Sequence, residues 1–252
     1  MRTPLVVGNW KMNTRRDEAE RLVRSMLPTL GALPGLEIVL CPPLPWLTVV
    51  GDLLGDSGVR LGAQNFHYQD GGALTGEVSA RMLKGVCDYA LVGQYERRIL
   101  LGEKESIVQR KLAAAQRSGL KPILCVGETA DQLDEGAGPY VVAQQLEADL
   151  EGLAVDSRLV IAYEPVWTTI GMVTAPPLSY VDDMARLIRE TLAGLFAAAA
   201  AEEVRVIYGG SVTPSNVAEI AAQPHLDGVL AGAGSVNADS FTAIARAFAR
   251  QL

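Results

Sequence analysis

Residues 4–13 read PLVVGNWKMN, and this stretch decides between the two folds that a chain of this pattern can adopt. Its apolar part, residues 4–10, has the composition of a strand that is buried on both faces of a parallel sheet. An open, doubly wound sheet normally has a glycine-rich fingerprint directly after its first strand, whereas here the strand runs into Asn-Trp-Lys-Met-Asn. The stretch therefore favours a closed barrel over an open sheet.

Short apolar runs alternate with longer amphipathic stretches from one end of the chain to the other. The eight predicted strands span residues 4–10, 36–41, 59–63, 89–93, 122–126, 159–163, 204–208 and 228–231. The main predicted helices span residues 17–30, 105–118, 140–153 and 180–200, and the alanine run 197–201 is interpreted as the end of the last one. Strand–helix alternation is typical of a parallel sheet with right-handed crossovers. Eight such units predict the α/β class and a single (β/α)8 barrel.

Length and composition fit one domain, which we predict to span residues 1–252. A barrel of this class has ~250 residues, and hydrophobic residues make up 49% of the chain. The net charge of −7 argues against nucleic-acid and anionic-membrane partners, because both need a basic face. No stretch reaches the roughly 18 consecutive apolar residues of a membrane span, and residues 1–10 do not resemble a secretory signal. These features predict a cytoplasmic protein.

Neither metal nor disulfide chemistry is predicted. The three cysteines, Cys41, Cys87 and Cys125, share no close spacing, and the only histidines are His67 and His225. Cys41 and Cys125 lie in apolar runs, which indicates buried thiols. We therefore expect no metal ion and no organic cofactor.

Polar residues gather where the predicted strands end, which in a barrel is the end that carries the active site. Lys11 follows the first strand and Glu164 the sixth, while glycine-rich turns at 209–211 and 232–234 follow the seventh and eighth. Such turns bring backbone N–H groups close to an anion. A carboxylate beside a fixed positive charge suits the removal of a proton next to a carbonyl group. The pattern predicts a phosphate site beside a general base.

Seven short motifs resemble those of the triosephosphate isomerase family, in the family's order, at approximately its spacing and across nearly the whole chain. They are GNWKMN (8–13), QN (64–65), TGE (75–77), ERR (96–98), CVGE (125–128), YEPVW (163–167) and YGGSV (208–212). The resemblance implies a TIM barrel and an aldose–ketose isomerase of glycolysis and gluconeogenesis. It also implies that glyceraldehyde 3-phosphate and dihydroxyacetone phosphate interconvert through an enediol(ate), with a glutamate as the base.

The resemblance assigns roles residue by residue. Glu164 resembles the catalytic base. Lys11 resembles the electrostatic electrophile, with Asn9 as its neighbour and Glu96 as the carboxylate that holds it. Contacts to the substrate phosphate are implied for Gly171, Ser211, Gly232 and Ala233. A network that stabilises a homodimer is implied for Gln64, Thr75, Glu77 and Arg97.

The most consequential departure from the family pattern is Gln94, which stands where the family has its catalytic histidine. A glutamine amide donates a hydrogen bond to a substrate oxygen, but it does not exchange protons near neutral pH. Its expected role is electrophilic only, so that the proton between the two oxygens travels through Glu164. General acid–base assistance is worth ~10²–10⁴-fold, and we expect activity to be reduced on that scale rather than abolished.

Other residues depart from the pattern or carry a structural expectation. Tyr95 replaces the family's serine and is expected to pack behind the site. The loop 168–175 loses one glycine and the lysine of the family's lid, which puts the phosphate contact of Gly171 in question. Ala233 replaces a glycine, and its N–H remains a donor if its φ is negative. Glu77 is expected to form a structural ion pair with Arg97.

Two alternatives to the simple isomerase stay open on the sequence. A changed pocket would suit a related, longer ketose phosphate. A relative that binds phosphosugars with little or no turnover would also carry the barrel and the phosphate turns. Retention of Lys11, Glu164 and Glu96 argues against lost turnover, because a buried lysine–carboxylate pair is costly to desolvate.

Overall fold

The computed structural model describes residues 2–168 and 175–250, and within them eight parallel strands close into a barrel. The strands are β1 (Leu5–Asn9), β2 (Glu37–Cys41), β3 (Arg60–Ala63), β4 (Tyr89–Val92), β5 (Lys121–Val126), β6 (Val160–Tyr163), β7 (Arg205–Tyr208) and β8 (Gly228–Ala231). Each strand pairs with its successor, and β8 pairs with β1, so the carboxyl ends of all the strands meet at one end of the barrel. The predicted (β/α)8 fold is confirmed, and the bounds of each strand lie within one residue of their prediction.

Helices follow the strands on the outside of the barrel. They are α1 (Arg16–Leu30), α2 (Leu47–Leu54), α3 (Ala80–Leu83), α4 (Glu105–Ser118), α5 (Ala130–Asp134), α6 (Gly138–Asp149), α7 (Leu178–Leu195), α8 (Ala198–Glu203), α9 (Val217–Ala221) and α10 (Ala238–Ala249). Within the described residues, none of these helices is both long and apolar enough to cross a membrane.

The prediction of one helix over residues 180–200 was wrong. The helix α7 ends at Leu195, Phe196 is extended with φ −131° and ψ 168°, and α8 begins at Ala198. The side chain of Phe196 packs against the core, and the chain turns there despite the helix propensity of the alanines. The helix α6 also begins earlier than predicted, because Pro139 suits its first turn.

Alternate residues of the strands point into two separate cores. Val7, Leu91 and Ile123 belong to a cluster that fills the inside of the barrel, whereas Val6 and Ala90 pack outward against the helices. Both faces of each strand are therefore buried, and this is why the strands appear in the sequence as continuous apolar runs.

An ionic cluster closes the N-terminal end of the barrel, where the strands begin. Arg205 donates from Nη1 to Glu37 Oε2 at 2.6 Å and from Nη2 to the Tyr89 hydroxyl at 2.8 Å. The Lys121 ammonium lies 5.0 Å from the centre of the Tyr89 ring. These four residues are the first residues of their strands, so the cluster ties β2, β4, β5 and β7 together.

Candidate active site

A cavity of about 370 Å³ lies where the carboxyl ends of β1, β6, β7 and β8 meet. Six of the nine residues predicted for the site line this cavity, namely Asn9, Lys11, Glu164, Ser211, Gly232 and Ala233. Gln94 hydrogen-bonds to Asn9, and Glu96 forms an ion pair with Lys11, so both lie directly behind the lining. The predicted contact of Gly171, like the altered loop segment 169–174, lies outside the described residues.

The backbone of Lys11 has a conformation that is rare for a residue with a side chain. Its φ is 51°, in the left-handed region, which disfavours side chains other than glycine. Gln64 Nε2 supports it by donating to the carbonyl oxygens of Lys11 and Cys41 at 2.8 and 2.9 Å, and the Lys11 N–H donates to Asn9 Oδ1 at 3.1 Å. Strain of this kind persists only where the surroundings hold it, and it is frequent in active sites.

The Lys11 ammonium lies between a carboxylate and an aromatic ring. Its Nζ forms an ion pair with Glu96 Oε1 and lies 4.9 Å from the centre of the Tyr95 ring. Burial alone would lower the pKa of Lys11, but attraction to Glu164 and Glu96 outweighs it and raises the pKa. Lys11 is therefore a permanent positive charge at the wall of the cavity.

Glu164 is a carboxylate kept out of water at the end of β6. Its backbone N–H donates to the Val126 carbonyl at 2.7 Å, and the residue is 3% exposed. The Oε2 atom of its carboxylate has no hydrogen-bond partner among the described residues. Burial raises the pKa of Glu164 to about 7, although the Lys11 charge opposes the rise. A base with this pKa is matched to proton transfer near neutral pH.

Close backbone packing explains a glycine beside Glu164. A side chain on Gly127 would collide with the Glu164 carbonyl oxygen, so only glycine lets the end of β5 approach the end of β6 this closely. The amide of Gln145 holds the same loop by donating to the Gly127 carbonyl at 3.1 Å and accepting from its N–H at 2.9 Å. The position of Glu164 is thus fixed by backbone contacts.

The Gln94 carboxamide is held at both ends. Oε1 accepts a hydrogen bond from Asn9 Nδ2 at 3.3 Å, and Nε2 donates to Cys125 Sγ at 3.1 Å. Gln94 is 4% exposed and is not among the described residues that line the cavity. Its predicted hydrogen bond to substrate would use the second N–H of the amide, and it remains a prediction.

Arg98 joins the ends of β4 and β5 beside Gln94. Its Nε donates to the Gly93 carbonyl at 2.8 Å, and its Nη2 donates to the Cys125 carbonyl at 3.1 Å and to Asp149 at 2.5 Å. Burial raises the pKa of Asp149 to about 6, against the opposing effect of Arg98. This buried pair fixes the two backbone segments between which Gln94 lies.

The two glycine-rich loops line the same cavity as Glu164. Ser211 is exposed at the cavity, and its carbonyl accepts from Asn216 Nδ2 at 2.8 Å. Ala233 begins a 3-10 helix, Ala233–Val236, so its φ is negative and its N–H remains usable as a donor. The Ser235 hydroxyl donates to the Gly232 carbonyl at 2.6 Å and holds this turn in place. Backbone N–H groups at a helix start are suited to an anion.

Glu128 has a larger structural role than its sequence position indicated. It is completely buried and accepts hydrogen bonds from the hydroxyls of Tyr163 and Tyr180 and from Trp167 Nε1, at 2.9 to 3.1 Å. These contacts anchor the chain on both sides of the segment 169–174. Its partners lie 35 to 52 residues away, so no local signal in the sequence could have found them.

One further prediction needs correction. Tyr95 is not simply a packing residue, because its ring lies over the Lys11 ammonium. Within one chain, Arg97 pairs with Glu103 at 2.5 Å, and Glu77 lies in the exposed segment 69–77, so the ion pair of Glu77 with Arg97 stays a prediction for the contact between subunits. Buried Lys111 shares the Glu103 carboxylate at 2.5 Å. Among the described residues, no group of histidine, cysteine and acidic side chains is arranged to hold a metal ion.

Taken with the closed barrel, this geometry defines a class of enzyme, a (β/α)8 barrel that transfers a proton on a small phosphorylated compound. The family model described as triosephosphate isomerase matches residues 4–248, and the chain belongs to the triosephosphate isomerase family.

Curated relatives cover nearly the whole chain. The triosephosphate isomerase of Chloroflexus aurantiacus is 45% identical over 247 residues, with 97% of this chain and 98% of that protein covered. The triosephosphate isomerase of Dehalococcoides mccartyi strain CBDB1 is 42% identical over 246 residues, covering 98% and 96%. The crystal structure of triosephosphate isomerase from Bartonella henselae superposes with a TM-score of 0.89 at 34% identity, covering 98% of this chain and 99% of that one.

Proposed function

We propose that the protein interconverts glyceraldehyde 3-phosphate and dihydroxyacetone phosphate, the isomerisation of glycolysis and gluconeogenesis. The observation that carries this proposal is the cavity of about 370 Å³, which Glu164, Lys11 and both glycine-rich loops line together. A three-carbon phosphosugar presents a phosphate at one end and an acidic C–H beside a carbonyl at the other. In this cavity the glycine-rich loops suit the phosphate, and Glu164 with Lys11 suits the carbonyl end.

The chemistry is a proton transfer without net oxidation. The Glu164 carboxylate, whose Oε2 has no hydrogen-bond partner among the described residues, takes the proton from the carbon beside the carbonyl. The negative charge moves to the carbonyl oxygen and is stabilised by the Lys11 ammonium. The protonated Glu164 then returns the proton to the neighbouring carbon, and the hydroxyl proton moves between the two oxygens.

Gln94 is assigned an electrophilic role in this scheme. Its amide nitrogen has two N–H groups, of which one is used by Cys125, so the second is available to the substrate oxygen. An amide does not carry the proton from one oxygen to the other, and Glu164 performs that step too. We expect turnover ~10²–10⁴-fold below that of an enzyme with an imidazole at this position.

A longer ketose phosphate is the second candidate substrate. A cavity of about 1020 Å³ adjoins Glu164 on its other side, with Tyr95, Arg98 and Val166 in its lining. This space would accommodate carbons beyond the third.

The test is a coupled isomerase assay on the parent protein, with Glu164→Gln and Glu37→Gln beside it. Turnover of the triose phosphates that disappears in Glu164→Gln and survives in Glu37→Gln is the expected result. Absence of turnover in the parent at high enzyme concentration would overturn the proposal. Turnover of five- or six-carbon ketose phosphates alone would establish the second candidate.

We also propose a homodimer. Met12, next to Lys11, is 98% exposed, and Leu74 in the exposed segment 69–77 is 40% exposed. Leu100 and Leu101 expose 66% and 64% beside the same end of the barrel. Sedimentation of the parent is expected to give twice the chain mass, and Thr75→Arg is expected to give the single chain mass with lower activity. A parent that sediments as a single chain would contradict the dimer.

A cytoplasmic location is proposed as well. All three cysteines are free and buried, as is usual in a reducing compartment. Fractionation of cells that express the native gene should recover the isomerase activity with the cytosolic markers.

A further inference from the structure

Tyr95 lies beside both charged groups of the site. It lies between β4 and a π-helical turn at Glu96–Leu100, a type of turn that is frequent at functional sites. Its ring lies 4.9 Å from the Lys11 ammonium, and its backbone N–H lowers the pKa of Glu164, against the larger effect of burial.

We propose that Tyr95 is a positioning residue for the isomerisation, whose ring holds the Lys11 ammonium and so keeps it apart from the Glu164 carboxylate. The inference rests on the proposed function, since it concerns the same base and the same cation.

The two charges would otherwise approach each other. Attraction between Lys11 and Glu164 is among the largest electrostatic influences on each of them. Both side chains line the same cavity. A direct ion pair would occupy the carboxylate that must take the proton and would lower its basicity. Among the ion pairs of the described residues, Lys11 is joined to Glu96 and not to Glu164.

An aromatic ring suits this task better than a second acid. The face of a tyrosine ring attracts an ammonium ion without carrying a net charge, so the positive charge of Lys11 stays available to the substrate. A second carboxylate beside Glu96 would neutralise that charge. The serine that the family has at this position offers no ring, so this support for Lys11 depends on the substitution found here.

The first experiment compares Tyr95→Phe, which keeps the ring, with Tyr95→Leu, which keeps the backbone N–H and similar bulk but removes the ring. We expect kcat of Tyr95→Phe within about twofold of the parent and kcat of Tyr95→Leu lower by about tenfold, the scale of one cation–π contact in a partly dry site. Circular dichroism and thermal melting establish that both variants are folded.

The pH profile of kcat/KM separates positioning from a general structural defect. Glu164 responds to the charges of Lys11, Glu96 and Arg98. If Lys11 moves onto Glu164 in Tyr95→Leu, the acid limb of the profile shifts to lower pH by about one unit, while Tyr95→Phe keeps the parent profile. Equal losses in both variants, or an unmoved acid limb in Tyr95→Leu, would overturn the proposal.

Calorimetric binding of glycerol 3-phosphate, which has no carbonyl group and does not isomerise, tests the same point without turnover. Tyr95→Leu should bind it several-fold more weakly than Tyr95→Phe, and the difference should vanish when both changes are made in Lys11→Met. A parent that lacks turnover but shows this pattern would refute the proposed function and retain the role of Tyr95. Turnover without this binding pattern would support the proposed function and refute the role of Tyr95.

Discussion

The two ends of the barrel differ in how completely their buried charged side chains are hydrogen-bonded. At the N-terminal end, the Arg205 guanidinium is bonded to Glu37 and to the Tyr89 hydroxyl. At the C-terminal end, Glu164 keeps an oxygen with no hydrogen-bond partner among the described residues, and Lys11 has a strained backbone. Burial without full hydrogen bonding costs stability, and it also makes a carboxylate reactive.

The pKa values of one glutamate at each end express the same difference. Burial alone would raise the pKa of Glu37, but hydrogen bonds from Arg205 and Tyr89 outweigh it and lower the pKa. Burial raises the pKa of Glu164 to about 7, and the Lys11 charge only moderates the rise. The same side chain is thus a structural anion at one end of the barrel and a base at the other.

The largest expected effect is on catalysis at the C-terminal end. Glu164→Gln removes the base while keeping the shape of the side chain, and kcat should fall by about 10³-fold or more, toward the upper end of what general base catalysis supplies. The coupled isomerase assay measures it. Glu37→Gln is the matched control at the other end, and its kcat should stay within about twofold of the parent. A similar loss in both variants would remove the functional contrast between the ends.

Stability at the N-terminal end comes next. Arg205→Met leaves Glu37 with only the Lys121 ammonium, 3.6 Å from Oε1, and removes a charged hydrogen bond, so the free energy of unfolding should fall by about 2 kcal/mol. Urea denaturation measures the change, and kcat of the folded fraction should not move. An unchanged midpoint would mean that the ionic cluster contributes little to stability.

The pH dependence of stability should have opposite signs at the two ends. The folded protein holds the Glu164 proton more tightly than the unfolded chain, so the stability from Glu164 is present below about pH 4.5 and lost as the pH rises through about 7. Glu164→Gln should then be more stable than the parent at pH 8, by on the order of 3 kcal/mol, with no gain near pH 4. Urea denaturation across this range measures it.

Glu37 provides the opposite case. Its lowered pKa gives stability that is present above about pH 4.5 and lost as the pH falls. Glu37→Gln should therefore be less stable than the parent at pH 8. If the stabilities of the two glutamine variants, each relative to the parent, changed with pH in the same direction, the opposite pKa shifts assigned to Glu164 and Glu37 would be wrong.

The smallest effect in this series concerns Gln94. Gln94→His restores a group that exchanges protons beside Asn9, and kcat should rise by at least about tenfold. A control with Gln94→Asn, which keeps an amide but shortens its reach to Cys125, should lose activity. If Gln94→His is no faster than the parent, the oxygen-to-oxygen proton transfer does not limit turnover.

The fold could be predicted from the sequence because barrel strands are buried on both faces. Runs such as residues 122–126 and 228–231 are continuous and apolar, and breakers bound them, so pattern alone located all eight strands. The break between α7 and α8 was missed because the packing of Phe196 overrides the helix propensity of the alanines.

The site was predictable where motifs are local and not where contacts are distant. Lys11 and Glu164 follow strand ends directly, and the barrel brings strand ends together. Gln94 and Cys125, whose side chains are hydrogen-bonded, lie 31 residues apart in the sequence. Tyr95 and Lys11, which follow different strands, meet only in the folded protein. Such pairings depend on how side chains point in the folded protein, which no sequence spacing encodes.

Because all three thiols are buried, the protein surface offers no reactive cysteine to electrophilic reagents. Burial raises the pKa of Cys87 to about 12 and those of Cys41 and Cys125 well above their ordinary value, so little thiolate exists at neutral pH. A single cysteine introduced at Met12, which has the highest exposure of the large apolar side chains that the structure describes, would then be the preferred site of maleimide labelling. The native fold thereby provides a background on which one dye or spin label reports on the proposed subunit contact without removal of any natural cysteine.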